Sequence, residues 1–431
     1  MSQTSKPGSS GKSFEIPKML IWEAYQKVKA NKGAAGVDQQ SLADFAVNEK
    51  RNLYKIWNRM SSGSYFPPPV KAVEIPKAGG KGVRVLGVPT VADRIAQTAV
   101  AMVLEPQVEP MFHPDSYGYR PGRSALDAVA TCRQRCWEHR WAIDLDIQSF
   151  FDTVPHEPVL QAVEKHTDLP WVVLYVQRWL TAPIQQPDGT LQSRDRGTPQ
   201  GSAISPLLTN LFMHYAFDRY LADTQPQVTF ERYCDDAIIH CVSEQQAKYI
   251  RNVLAARLWR FGMRLHPEKT RIVYCHQEDR PKPSKGTPVE FTFLGYTFRP
   301  RYARLRDDRF KLGFLPAVSK TAKKHMAATI RGWHLGRCTS LTFTEIATMI
   351  NRIVAGWINY YGRFYKSLLI SFLAERINPH LVKWAMRKFK HLHRAPAKAR
   401  RRLAQIATTY PGMFIHWRHG ALPTGSTTAA V

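Results

Sequence analysis

The chain has 431 residues, with 61 lysines and arginines against 34 aspartates and glutamates, for a formal net charge of +27. That length exceeds what one hydrophobic core supports and implies two or three domains. The charge excess calls for a polyanion, and nucleic acid fits better than a membrane: no apolar run reaches the roughly 18 residues needed to span a bilayer.

The polar N-terminus lacks an apolar signal core, so a cytoplasmic location is expected. Cys132 and Cys136 are the one close pair among six cysteines, too few for a zinc site, and all six are expected to be reduced and structural.

In chain order, residues 1–13 are Ser/Gly/Lys-rich and are expected to be mobile. A helical apolar pattern starts at Leu20 and is broken by Asn31-Lys32-Gly33; a second short helix is expected over Leu53 to Met60. Val70 to Pro76 alternates like a strand and stops at its proline. The following glycines, with Lys77, Lys81 and Arg84, suit either a hairpin tip that meets phosphate or a solvated basic turn. Residues 90–108 read as a helix, and Tyr117 to Ser124 as a glycine-containing loop whose Arg120 and Arg123 are expected nucleic-acid contacts, capped by Ser124 before a helix from Ala125 to Cys136.

Trp141 to Leu145 is a short buried strand that delivers Asp144 and Asp146 to its carboxyl end. Residues 171–180 form an apolar helix, Asp188-Gly189 marks a hairpin, and Ser205-Pro206 opens a long helix through Tyr220. A further helix is expected over 244–261 and a single strand over Phe291 to Phe298. Beyond residue 300, Thr342 and Glu345 suit a capping box before one apolar helical stripe. Lys383, Arg387, Lys388, Lys390, Arg400, Arg401 and Arg402 lie in a stretch with no acid after Glu375, which reads as a nucleic-acid surface in preference to a solvated helix face and tail.

The stretch Tyr233-Cys234-Asp235-Asp236 lies between apolar runs, where a two-residue turn would expose both carboxylates at a hairpin tip. Taken alone, an ordinary Asp-Asp turn is an equally good reading. Three convergent carboxylates, Asp146, Asp235 and Asp236, would repel one another and call for a pair of hard divalent cations. Two such ions suit in-line nucleotidyl transfer. That chemistry also needs cations for a triphosphate, for which Lys81, Arg84 and Lys269 are candidates, and a floor for the nucleotide, for which Phe151, Gln200 and Gly201 are candidates.

At this point a resemblance becomes specific. From about residue 20 to beyond residue 400 the chain resembles a bacterial group II intron-encoded reverse transcriptase and maturase, in the compact form without a C-terminal endonuclease. Ile75-Pro76-Lys77, the run from Gly82 to Thr90 and Asp93-Arg94 resemble its fingers motifs, and Tyr117 to Ser124 the next block. Asp146 to Asp152 resembles its first catalytic motif, Arg196 to Asn210 its Pro-Gln-Gly block, and Tyr233 to Asp236 its Tyr-x-Asp-Asp hairpin. Phe261 to Thr270, Phe293 to Tyr296 and Gly356 to Gly362 resemble later palm and maturase signatures.

The resemblance implies an α+β right-hand polymerase: fingers and a palm with an antiparallel sheet, then an α-helical thumb and maturase domain. The implied divisions are a template-contacting extension over 1–70, fingers and palm over 71–300, the thumb over 301–395 and a short basic tail over 396–431. It implies RNA-directed DNA polymerase activity with two Mg²⁺ ions, Mn²⁺ as a substitute, and dNTPs, RNA template, group II intron RNA and DNA primer or target as partners. Asp146, Asp235 and Asp236 would be the catalytic metal-site carboxylates, Phe151 a wall against the sugar 2′ position, Lys269 a catalytic group that meets or protonates the leaving pyrophosphate, and Tyr233 a support for the primer terminus. Phe151 as a core aromatic and Lys269 as a surface lysine are the plainer alternatives.

Cys234 replaces the family's usual Ala, and Ser202-Ala203 its usual Gly-Val or Gly-Thr. Both departures are compatible with a group II-like polymerase serving a host role such as DNA repair. A non-catalytic RNA-binding splicing factor is the remaining alternative. Nothing in the sequence fixes an oligomeric state.

Overall fold

The computed structural model describes residues 12–76, 82–304 and 307–423. The chain divides into two compact units that interleave in sequence: one holds residues 1–124, 145–239 and 245–270, the other 125–144, 240–244 and 271–431.

In the first unit, helix Lys18–Asn31 buries Ile21, Ala24, Tyr25 and Val28, a spacing that gathers them on one face. Strands Val70–Pro76 and Val83–Val88 form an antiparallel hairpin in which Ile75 faces Arg84. A short parallel pairing adds Ile184–Gln185, which in turn pairs with Leu191–Gln192 across the Asp188-Gly189 turn. The expected phosphate-facing tip, residues 77–81 including Lys81, lies outside the described residues, as do residues 1–11 of the expected mobile N-terminus.

Helix Val91–Val108 begins at Thr90, whose Oγ1 accepts the Asp93 amide. It carries a fully buried acid, Asp93, whose Oδ1 accepts from Tyr65 Oη at 3.0 Å and Trp179 Nε1 at 2.7 Å. Gln97 Nε2 donates to its Oδ2 at 2.9 Å. Burial raises the Asp93 carboxyl to about 6, with the three donors acting in the opposite direction.

The long helix expected from Ser205 is present but not uniform. An α-helix over Ser205–Met213 passes into a π segment, His214–Asp218, and resumes over Arg219–Thr224. The wider π turn changes the helical phase and carries Asp218 inward, where it is fully buried.

In the second unit, residues 141–144 of strand Trp141–Leu145 pair antiparallel with Arg271–Tyr274, with Asp144 opposite Arg271. The expected single strand over 291–298 is instead two strands, Phe291–Phe293 and Tyr296–Arg304, joined through Leu294 and Gly295, both at positive φ. That backbone suits a tight hairpin, and Tyr296–Arg304 continues into a long ladder with Phe310–Val318.

Helix Phe343–Tyr361 opens on the expected capping box: Thr342 Oγ1 accepts the Glu345 amide and Glu345 accepts the Thr342 amide. Its buried stripe of Ile346, Ile350, Val354 and Ile358 joins one core with Leu369, Leu373, Ile377 and Trp384. The stretch expected as a basic tail also contributes to this core. Helices Pro396–Thr409 and Ile415–Arg418 form there, and Leu403, Ala407, Phe414 and Trp417 are buried in it. Apolar residues recurring among the arginines make that segment amphipathic, which its charge run masks. Among the described residues no helix is long and apolar enough to cross a membrane. All six cysteines are free, and five are buried.

The raised Asp93 carboxyl fixes a pH signature. Its folded form binds the proton more tightly than the unfolded chain, so its contribution favours folding at low pH and is lost as pH rises through about 6. The difference in unfolding free energy between wild type and Asp93→Asn should therefore fall between about pH 4 and 7, by roughly 1–3 kcal/mol, and level off above. Denaturant titrations of both proteins across that range measure it.

Candidate active site

Asp146, Asp235, Asp236, Lys269 and the described nucleotide-site candidates lie in the first unit; Asp144 falls in the second. Asp146 is held by backbone bonds as much as by its strand. Its amide donates to Thr270 Oγ1 at 3.2 Å, its carbonyl accepts the His266 amide at 2.8 Å, and Gln148 N–H reaches the Arg264 carbonyl at 2.9 Å. These bonds tie it to the turn that carries Lys269. Lys269 Nζ sits 3.3 Å from Asp146 Oδ2, with both side chains partly in solvent.

Strand Thr229–Tyr233 leads into a turn made by Cys234 and Asp235, and Asp236 is already the first residue of the next strand. The expectation of both aspartates at an exposed tip is thus corrected: the turn lies one residue earlier, and both side chains are partly buried. Cys234 takes φ +63°, a left-handed conformation that costs a non-glycine residue about 1–3 kcal/mol.

What holds the turn there is Arg232, fully buried. Its Nη1 donates to the Cys234 carbonyl at 2.8 Å and to Asn210 Oδ1 at 3.1 Å. Its Nε and Nη2 form a fork on the two Asp218 oxygens at 2.6 Å each, and Nη2 also meets Ser116 Oγ at 2.7 Å. Asn210 Nδ2 in turn donates to the Gly118 carbonyl at 2.6 Å. Gly118 packs on the turn so closely that a Cβ would stand 2.6 Å from the Cys234 nitrogen. Arg232, Asp218 and the packing role of Gly118 were not singled out in the sequence. The signal for them was a charged pair, Glu231-Arg232, inside an otherwise apolar strand.

Burial raises the Asp235 carboxyl, and the charge of Asp146 adds to the rise, while Arg84 acts to lower it. Asp235 is therefore within electrostatic reach of both Asp146 and Arg84. Burial and then the Asp235 charge push the Cys234 thiol up to about 12, so it stays neutral. The donor set, hard carboxylate oxygens with the Asp146 charge raising the Asp235 carboxyl, fits a hard divalent cation and offers no soft ligand.

Of the other candidates, Arg84 is exposed on strand Val83–Val88. Phe151 is half-buried, edge-on to Phe150 at 5.3 Å, and its carbonyl accepts the Thr198 amide. Gln200 and Gly201 form a turn against the hairpin, where the Gln200 carbonyl accepts the Gly87 amide at 2.8 Å. Tyr233 is half-buried, 5.9 Å from the Tyr119 ring. Asp144 pairs with Arg271 at 3.2 Å, in a structural role.

Two expected nucleic-acid contacts are corrected. Arg120 is buried, forks onto Glu109 and donates to the His113 and Ser116 carbonyls, so it is a loop staple. Lys388 is half-buried and spends its ammonium on the carbonyls of Thr339 and Leu341, at 3.0 and 2.7 Å. Arg387 is exposed but donates to the Gly336 carbonyl at 3.0 Å. Arg123, Lys383, Lys390, Arg400, Arg401 and Arg402 are exposed.

Fold and acidic hairpin together define a template-directed polymerase of the reverse transcriptase class. The chain belongs to the reverse transcriptase (RNA-dependent DNA polymerase) family, which it matches over residues 75–298, and residues 323–403 match the group II intron maturase-specific domain. It is 31% identical over 331 residues to Protein YkfC of Escherichia coli (strain K12), covering 66% of this chain and 82% of that protein. It is 29% identical to the group II intron-encoded protein LtrA of Lactococcus lactis subsp. cremoris over 61% of this chain and 42% of that protein. A putative COX1/OXI3 intron 2 protein of Saccharomyces cerevisiae is 30% identical over 48% of this chain and 24% of its own length. The chain is thus an RNA-directed DNA polymerase, a family that uses divalent metal ions, joined to a maturase-specific region.

Removing the hairpin's anchor tests its weight. Arg232→Met leaves the Asp218 charge buried and unpaired, which should lower unfolding free energy by about 3–5 kcal/mol. The double variant Arg232→Met, Asp218→Leu should recover much of the loss in the same urea titration.

Proposed function

We propose that the chain extends a DNA primer with dNTPs on an RNA template by two-metal nucleotidyl transfer, and that its maturase-specific region binds group II intron RNA to assist splicing. The observation that carries the polymerase site is Asp146 bonded through its backbone to the turn that places Lys269 Nζ 3.3 Å from its carboxylate, with Asp235 close enough for the Asp146 charge to act on it. Asp146 and Asp235 are the proposed ligands for two Mg²⁺ ions, with Mn²⁺ as a substitute, and Asp236 contributes negative potential beside them. When bound, such ions acidify the primer 3′-hydroxyl and neutralise charge on the leaving pyrophosphate.

The remaining work falls to the chain's own groups. Arg84 offers a guanidinium to the triphosphate, and Lys81 is proposed for the same role. Lys269 exchanges its carboxylate partner for the pyrophosphate oxygens as charge develops there. Phe151 presents a ring edge to the sugar, Gln200 and Gly201 a close backbone floor, and Tyr233 a packing surface for the primer end. Arg123 and the exposed C-terminal cations Lys383, Lys390, Arg400, Arg401 and Arg402 are the proposed backbone contacts for RNA and DNA, with Arg387 adding charge while remaining tethered.

Primer extension on an RNA template should proceed with wild type and Mg²⁺, stop on chelation and resume with Mg²⁺ or Mn²⁺. Asp235→Ala should reduce the rate at least about 100-fold, or about 2.7 kcal/mol of barrier. Equal dNTP incorporation by the two proteins would sink the assignment. A stronger preference for short paired DNA ends than for RNA templates would move the reading to a DNA-repair polymerase.

For the maturase role, the affinity of wild type for the flanking intron RNA should fall with salt. The triple variant Lys383→Ala, Arg400→Ala, Arg401→Ala should flatten that slope by about one unit for each phosphate it no longer neutralises. An unchanged slope would remove these residues from the interface.

A further inference from the structure

The Pro-Gln-Gly turn that floors the proposed nucleotide site is held from beneath by one side chain. Gln97, buried at 1% exposure on helix Val91–Val108, presents Oε1 to two donors: Ser202 Oγ at 2.8 Å and the Ala203 amide at 2.9 Å. Its other end, Nε2, donates to Asp93 Oδ2.

This polarity is enforced. An ionised carboxylate only accepts hydrogen bonds, so Asp93 admits the NH₂ end of Gln97 and obliges the oxygen to face the turn. Asp93 is itself fixed by Tyr65 and Trp179, both donating to its other oxygen. From above, the turn meets strand Val83–Val88. The Gly87 amide donates to the Gln200 carbonyl, a Cβ on Gly201 would lie 2.8 Å from the Gly87 oxygen, and one on Gly87 would lie 2.6 Å from Pro199 Cβ. Residues 199–203 are therefore gripped on two sides, by backbone from the strand and by an amide of imposed orientation from the helix.

We infer that Asp93, Gln97 and Ser202 form a positioning relay that sets the height of the Gln200-Gly201 floor and thereby the affinity for the incoming nucleotide. The inference rests on the nucleotide-site reading above. None of the three touches the reacting atoms; they act through the backbone of the turn. Loosening the relay raises the KM for dNTP more than it lowers kcat, because the carboxylates at Asp146 and Asp235 are anchored by separate bonds.

The test compares wild type, Ser202→Ala, Gln97→Leu and Asp93→Asn by amide hydrogen exchange at Ala203 and by steady-state primer extension. Ser202→Ala removes one hydrogen bond and should raise the KM about 2- to 10-fold with kcat within about 2-fold. Gln97→Leu strands the Ala203 amide and the Ser202 hydroxyl and should raise it about 10- to 100-fold, with Ala203 exchanging at least about 10-fold faster. Asp93→Asn keeps an acceptor for Tyr65 and Trp179 but sets an NH₂ against Gln97, and should also speed Ala203 exchange. The double variant Ser202→Ala, Gln97→Leu should behave like Gln97→Leu alone, since both remove the same bond.

Unchanged Ala203 exchange in Gln97→Leu overturns the relay. Faster exchange with an unchanged KM overturns its role in nucleotide binding. If Gln97→Leu does not fold, Ser202→Ala decides through the same two readouts. A wild type that extends no primer overturns the polymerase reading, while Ala203 exchange still decides whether the relay exists.

Discussion

The acidic hairpin depends on a buried cation behind it. A left-handed Cys234 followed by an aspartate that sits near another carboxylate is an unfavourable local arrangement. Arg232 stabilises it by capping the Cys234 carbonyl from within while its charge is matched by the Asp218 fork. The π segment in the preceding helix belongs to the same device, since an uninterrupted α-helix would carry Asp218 at a different phase. Asn210 and Ser116 saturate the remaining guanidinium hydrogens and bring the Gly118 loop onto the turn. Such a pair contributes little net stability against an apolar substitute, so its value lies in fixing one geometry.

The sequence made legible what is encoded locally. Trp141–Leu145 is a strand whose end delivers Asp146, Thr342 and Glu345 cap a helix reciprocally, and the apolar stripe after them is a core face. Each follows from residues within a few positions of one another. The misreadings share a different cause. Arg120 looked like a phosphate ligand because arginines in glycine loops often are, but Glu109 and two carbonyls claim it. Lys388 was counted with a basic surface, yet three nearby carbonyls of a preceding loop surround its ammonium. Residues 396–418 were read by their charge, while Leu403, Phe414 and Trp417 decide where they pack. The Asp-Asp turn slipped by one residue because turn position is set by Arg232, whose partners lie far along the chain where turn propensity does not reach.

Two fully buried aspartates lie behind the Cys234 turn and the Gln200-Gly201 turn, and they are satisfied in opposite ways. Asp218 meets a guanidinium, so its charge is matched where it stands. Asp93 has only neutral donors: a phenol, an indole and an amide. Three neutral bonds offset part of the desolvation but not all of it, which is why its carboxyl rises while remaining ionised at neutral pH. The unmatched charge has a structural use: an acceptor-only group is what orients the Gln97 amide, whose two ends are otherwise interchangeable in shape. A cation in that place would have taken the oxygen end of Gln97 and presented its NH₂ to the Ala203 amide, donor against donor. The less stable solution for Asp93 is therefore the one that can hold the turn over residues 199–203.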